Sequence, residues 1–228
     1  YYREGDEDII APQPEKARDL YKIGAEAGHP IMQAIYADDL REAGRKEEAA
    51  GWYEKAAEGG HPGAWYSVGR CYFNGEGVGQ DAAYAVTCFE KELAGNPIHE
   101  GSCNLLGKAY FYGEGVRQDY DKAYRYLSTA YQKQNSTWGV FYLAKCSFNG
   151  WGTPQDFRQA MAYMDKMTFQ NPEADYMRGY IHARGLGGMP EDIKTGVQYL
   201  QKAGNFDKAK EELLRYKKTL FGRWVRRR

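Results

Sequence analysis

The chain carries few of the residues that usually announce chemistry. Of its 228 residues, four are histidine and four are cysteine. Cys71, Cys88, Cys103 and Cys146 stand far apart, so no CxxC metal knuckle or redox pair exists. His29 and His61 each precede a proline at matching positions, His99 opens a helical stretch, and His182 replaces a recurring tyrosine. Repetition accounts for these histidines better than metal ligation does, and neither a metal nor a cofactor is expected. An excess of one charge is also lacking: 31 basic residues balance 31 acidic ones, which leaves no overall footprint for nucleic acid or membrane. No apolar run reaches the roughly 18 residues of a transmembrane helix. No secretory leader is visible, but the chain begins at Tyr1 rather than Met, so this absence carries no weight.

What the chain does have is glycine, tyrosine and repetition. Its 27 glycines are dispersed, which points to many turns rather than one flexible linker, and its 20 tyrosines can serve both core and surface. Self-comparison aligns four segments: Asn74-Gly-Glu-Gly-Val-Gly-Gln-Asp81, Tyr112-Gly-Glu-Gly-Val-Arg-Gln-Asp119, Asn149-Gly-Trp-Gly-Thr-Pro-Gln-Asp156 and Arg184-Gly-Leu-Gly-Gly-Met-Pro-Glu-Asp192. Their closing aspartates recur every 36 to 38 positions, the period of a helical repeat array.

Helical patterns flank each segment. Before it, Val68-Gly69 precedes Tyr72, Leu106-Gly107 precedes Tyr110, Leu143-Ala144 precedes Ser147, and Gly179 precedes His182. Spacings of three and four place these residues on one face, where the small residue lets a neighbouring helix come close. After it, Ala85, Ala123, Ala160 and Gly196 are followed on the same face by Phe89, Leu127, Met164 and Leu200. Gly75, Gly113, Gly150 and Gly185 suit a left-handed helix stop. Asp81, Asp119, Asp156 and Asp192 suit N-caps, a structural rather than catalytic role. Two earlier copies are altered. Residues 14–27 and 46–58 read as second helices and 31–43 as a first helix, with Gly44-Arg45 as a shrunken loop. Residues 1–5 read as the end of a first helix, and 6–13 as a longer loop.

The pattern Leu-Gly-x-x-Tyr-x-x-Gly-x-Gly-Val-x-x-Asp-x-x-x-Ala resembles the Sel-one-like repeat (SLR) family, a branch of the tetratricopeptide superfamily. The likeness is best over residues 66–94 and 104–131 and extends in weaker form over 1–205. It implies an all-α fold: an α-solenoid, wound as a right-handed superhelix of helix-turn-helix repeats, with first helices lining a concave face. About six repeats would fill residues 1–205, the first truncated, leaving 206–228 as a capping helix and basic tail. Ala209, Leu213 and Leu214 are expected to cover the last repeat, with Lys208, Glu211, Glu212 and Arg215 in water. The family's cysteine-rich secreted branch pairs a cysteine at the end of a second helix with one early in the next. Cys103 fits the latter place but Leu93 stands at the former, so reduced thiols are expected, and that branch's β-lactam binding is not. This leans toward the cytoplasm, with export left open.

The same resemblance implies groove positions. One residue after the small residue of each first helix come Asp38, Arg70, Lys108, Lys145 and Tyr180, and three before it come Ala34, Tyr66, Asn104, Phe141 and Tyr176. The set Tyr66, Arg70, Asn104, Lys108, Phe141, Lys145, Tyr176 and Tyr180 suits a protein or peptide partner with a carboxylate held among aromatic rings. The alternative is an ordinary solvated helix face. Phe73, Phe111 and Phe148 are expected in packing between repeats. The basic tail, Lys217 to Arg228, reads as a cap whose Leu220, Phe221 and Trp224 tuck onto the last repeat, in preference to a membrane contact. The expected function is a non-enzymatic interaction scaffold that binds no nucleic acid. The runners-up are an envelope-associated enzyme and a membrane-surface adaptor that uses the tail.

Overall fold

A helix of ten to fifteen residues buries only one stripe of side chains, so each repeat needs a partner helix and each pair needs a neighbouring pair. The computed structural model describes residues 14–219 and 222–227. Within them lie α1 (Pro14–Glu26), α2 (Pro30–Glu42), α3 (Lys46–Glu58), α4 (Ala64–Asn74), α5 (Ala82–Gly95), α6 (Glu100–Tyr112), α7 (Tyr120–Gln134), α8 (Val140–Asn149), α9 (Phe157–Asp165), α10 (Pro172–Arg184), α11 (Ile193–Lys202) and α12 (Asp207–Leu213), then strands β1 (Tyr216–Lys218) and β2 (Trp224–Arg226). The repeats expected from the sequence are present as the helix pairs α2/α3, α4/α5, α6/α7, α8/α9 and α10/α11. The residues form two compact units that meet in sequence at Pro97 and Ile98.

The first unit has a core of alanines and mid-sized residues, with Ala37, Leu40, Ala56 and Val68 buried around Tyr53. The second unit has a larger aromatic and methionine core, in which Phe148, Tyr163, Met164, Met177 and Ile181 are buried. The small residues act within each repeat. A β-carbon on Gly69 would lie 2.5 Å from the ring of Phe89, one on Gly107 2.5 Å from Leu127, and one on Gly179 2.7 Å from Leu200. In these three repeats the first helix therefore rests directly on the large residue of its own second helix.

The loops inside the repeats follow one plan. Gly75, Gly113, Gly150 and Gly185 end the first helix at positive φ. Asp81, Asp119, Asp156 and Asp192 each accept a backbone N–H three residues on, at 2.9 Å. Two further parts of the plan are structural findings. In three loops a glutamine donates back to the first helix: Gln80 to the Phe73 carbonyl at 2.9 Å, Gln118 to Phe111 and Gln155 to Phe148, both at 2.8 Å. The second glycine is also left-handed, and at Gly77 and Gly152 it touches the preceding repeat. A β-carbon on Gly77 would collide with the carbonyl of Lys46, and one on Gly152 with that of Tyr120.

The C-terminal segment departs from the expected capping helix followed by a plain basic tail. Helix α12 ends at Leu213, and Tyr216–Lys218 pairs antiparallel with Trp224–Arg226. Tyr216, Trp224 and Val225 favour extended backbone, and Gly222 supplies the positive φ of the turn. The hairpin lies against α11, and Trp224 packs against the cluster that contains Val197, Leu200 and Tyr216. Two expected positions are reversed: Leu214 is exposed, and Glu212 is buried. Glu212 is drawn inward because it accepts two hydrogen bonds from Arg184 Nη2, at 2.9 Å each, and one from Tyr216 at 3.1 Å. The expectations for residues 1–13 and for Leu220 and Phe221 lie outside the described residues.

Candidate functional site

The groove positions predicted from the sequence divide between the two units. In the first unit, Tyr66 and Arg70 are neighbours on α4, both partly exposed, with the guanidinium 6.0 Å from the ring centre. Arg70 Nε is buried and meets no hydrogen-bond acceptor among the described residues. On α2, Asp38 accepts from the hydroxyl of Tyr53 at 2.5 Å, and Arg41 donates to that hydroxyl at 3.2 Å. Burial and then the Asp38 carboxylate raise the pKa of the Tyr53 hydroxyl, so it remains protonated.

In the second unit, five of the six predicted residues are partly exposed: Lys108 on α6, Phe141 and Lys145 on α8, and Tyr176 and Tyr180 on α10. Asn104 differs. It is buried, and its side-chain amide donates to Ser136 Oγ at 2.9 Å, because the α7–α8 connection folds over it. The two lysines are engaged within the chain, Lys108 with Glu114 at 3.4 Å and Lys145 with Glu173 at 3.2 Å. Lys145 also lies 5.2 Å from the ring centre of Phe111 and 5.5 Å from that of Phe141. The predicted basic stripe is therefore largely neutralised by the chain's own carboxylates. Tyr176 and Tyr180 pack at the end of the aromatic core, where Arg184 lies 4.1 Å over Tyr180 while its guanidinium holds Glu212. The phenylalanines expected in packing are there: Phe111 meets Tyr142 and Trp151, and Phe148 meets Tyr176 and Tyr180.

Sequence reading missed the residues between repeats. A cavity of about 750 Å³ is lined by Trp138, Phe141, Tyr142 and Phe169, with Glu100, Gln134, Asn135, Ser136, Thr137, Thr168 and Asn171 completing its wall. The signal available was a contrast: Gly28-His-Pro30 and Gly60-His-Pro62 join the earlier repeats, whereas Asn135-Ser-Thr-Trp138 joins these. The cysteines and two of the histidines are engaged in packing or capping. All four cysteines are free and buried, and burial raises the thiols of Cys88 and Cys103 to about 11 and that of Cys146 to about 12. They are poor nucleophiles in the folded state. His182 stacks on Tyr199, and His99 Nδ1 accepts from Ser102 N at the start of α6.

The comparisons with known proteins agree with this architecture. No curated protein matches the chain. Among solved structures, c5321, a protective antigen of uropathogenic Escherichia coli with an SLR fold, is 26% identical with a TM-score of 0.67, covering 86% of this chain and 41% of that one. A Sel1 repeat protein from Oxalobacter formigenes is 24% identical with a TM-score of 0.58, covering 88% of this chain and 59% of that one. The chain thus spans about half the length of these two proteins. YrrB, a TPR protein with an unusual peptide-binding site, shares the fold at 21% identity and a TM-score of 0.59, covering 88% of this chain and 97% of YrrB. The Sel1 repeat model matches residues 1–29, 46–61, 64–91, 101–135, 139–167 and 172–205, well over half of the chain. Helix pairs, register and sequence together make this chain a member of the Sel1 repeat family.

Proposed function

We propose that the chain is an interaction scaffold that holds a segment of a protein partner along the first-helix face of its repeats. Repeats of this kind typically bind proteins or peptides and are generally not enzymes. The observation that carries the reading is the partial exposure of Phe141 on α8 and of Tyr176 and Tyr180 on α10, consecutive first helices whose rings belong to one aromatic cluster. Aromatic rings left half open beside charged groups are the usual anchors of a peptide interface. YrrB, of the same fold, has a peptide-binding site.

A carboxylate on the partner is accommodated in two ways. Arg70, beside Tyr66, is partly exposed and can meet a carboxylate with the outer end of its guanidinium, its Nε being buried. Lys108 and Lys145 accept a carboxylate only by exchange with Glu114 and Glu173, which weakens any preference for acidic segments. The test is peptide selection on the whole chain, followed by affinity measurement with the K108E/K145E double variant, both changes lying in the second unit. Loss of about tenfold, equivalent to 1.4 kcal/mol, is the expected result. Unchanged affinity for the selected peptides would remove the groove from the binding site.

A further inference from the structure

The connection from α7 to α8 turns on an asparagine where those of α1–α2 and α3–α4 turn on glycine. Asn135 is the one non-glycine residue at positive φ among the described residues, at 54°. Ser136, next to it, is buried and receives the hydrogen bond from Asn104 at 2.9 Å, while Asn104 Oδ1 has no hydrogen-bond partner among the described residues. A buried polar pair and a left-handed asparagine thus hold this connection in place, and local irregularity of this kind concentrates at functional sites. The connection holds Trp138 at 47% exposure on one wall of the 750 Å³ cavity, while Phe169, on the α9–α10 connection, is 50% exposed in its lining. The ring of Tyr142 sits 5.8 Å from that of Trp138 and 5.7 Å from that of Phe141.

The charge of the lining selects the ligand. None of the lining residues is lysine, arginine or histidine, and the single charged one is Glu100, an exposed carboxylate with no ion pair among the described residues. Aromatic faces beside a carboxylate attract a cation and repel an anion. Lys145 provides a precedent within the chain, since its ammonium lies against the rings of Phe111 and Phe141 with the Glu173 carboxylate at 3.2 Å. The cavity offers the same two components to a cation from outside. Helix amides that could favour an anion are engaged at two ends: His99 caps α6, and Asn171 accepts from the amides of Glu173 and Ala174. At the start of α8, which has no side-chain cap, the amide of Val140 donates to the Thr137 carbonyl at 3.4 Å.

We propose that this cavity anchors a lysine or arginine side chain of the protein partner. The inference rests on the scaffold reading and names the chemistry of one contact. It is tested by following the Trp138 indole N–H signal, assigned by its loss in W138F, in the isotope-labelled chain. The probes are acetyl-Gly-Lys-Gly-amide, its Nε-trimethyl form, and the corresponding norleucine and glutamate peptides. Both cationic peptides are expected to move the Trp138 signal, with norleucine weaker by about fivefold. E100Q, a change at an exposed residue, is expected to weaken the lysine peptide and leave the norleucine peptide unchanged. Norleucine binding as tightly as lysine, preference for glutamate, or no movement of Trp138 with any probe would each overturn the proposal. The scaffold reading is judged separately: selected peptides that bind the W138F/E100Q variant as well as the parent place the partner elsewhere on the scaffold, which overturns the cation site alone.

Discussion

The loops inside the repeats and the connections between them obey different physics. Inside, the Gly77, Gly115 and Gly152 loops repeat one geometry: two left-handed glycines, a glutamine bonded back to the first helix, and an aspartate cap at 2.9 Å. Nearly every hydrogen bond that defines them is made within ten residues of chain. Between repeats, the α1–α2 connection turns on Gly28, the α7–α8 connection on Asn135, and the α9–α10 connection runs without a positive φ to the Asn171 cap. Connections made from tertiary neighbours can vary without losing the array, and it is there that the exposed Trp138 and Phe169 stand. Variation is tolerated where the scaffold does not need a fixed turn, and such positions are free to acquire binding roles.

The sharpest way to break this comparison is to place a methyl group on one glycine of each kind. Gly152→Ala meets both a left-handed backbone and the Tyr120 carbonyl of the preceding repeat, and is expected to lower stability by about 3 kcal/mol or more in urea unfolding. Gly28→Ala is equally left-handed but meets nothing within 4 Å, so the loss should stay near 1 kcal/mol. Equal losses would mean that the second loop glycine serves only its φ angle.

The C-terminal end comes next, because its closing device lies outside the repeat plan. Glu212→Ala strips Arg184, Arg215 and Tyr216 of their shared acceptor, and about 2 kcal/mol of stability should be lost. Hydrogen exchange should then quicken at Thr219 and Arg227, whose amides bond across the hairpin region, ahead of the helices. Uniform exchange would show that the hairpin is held independently of Glu212. Asp119→Ala removes one cap, and thermal unfolding should report a loss of about 1 kcal/mol, matched by Asp81→Ala and Asp156→Ala. A spread wider than that value among the three would deny that the loops are equivalent.

The smallest effect concerns acid. The Asp192 carboxylate lies below its ordinary range, chiefly because the backbone N–H of Thr195 donates to it, and then the Thr195 side chain. A carboxylate with a lower pKa in the folded state stabilises above its unfolded value, near 4, and loses that contribution as pH falls through the folded value. Asp192→Asn should therefore make stability slightly less sensitive to acid below about pH 4, measured as the urea midpoint against pH. An unchanged acid limb would show that the cap is neutral in effect.

The fold was legible because its marks are local and repeated. Gly69, Gly107 and Gly179, the loop glycines and the capping aspartates each satisfy a need set within one turn or one hairpin, so they recur at the period of the repeat. The candidate site was less legible. Phe141, Lys145, Tyr176 and Tyr180 are proposed by counting from the small residues, and the structure adds that all four side chains are partly exposed. What counting missed is which carboxylate neutralises each lysine, and that Asn104 is taken up by Ser136, thirty-two residues away in sequence. The hairpin escaped because two three-residue strands carry no periodicity to detect.

The sequence alone thus determined the helix pairs, their stops and their caps, since these depend on backbone geometry and on neighbours a few residues apart. Only the tertiary structure decided what the exposed side chains have to offer. Glu212 turned inward toward Arg184, Lys145 closed on Glu173, and Trp138 stood open beside Glu100, because charge pairing and burial depend on residues that only packing brings together.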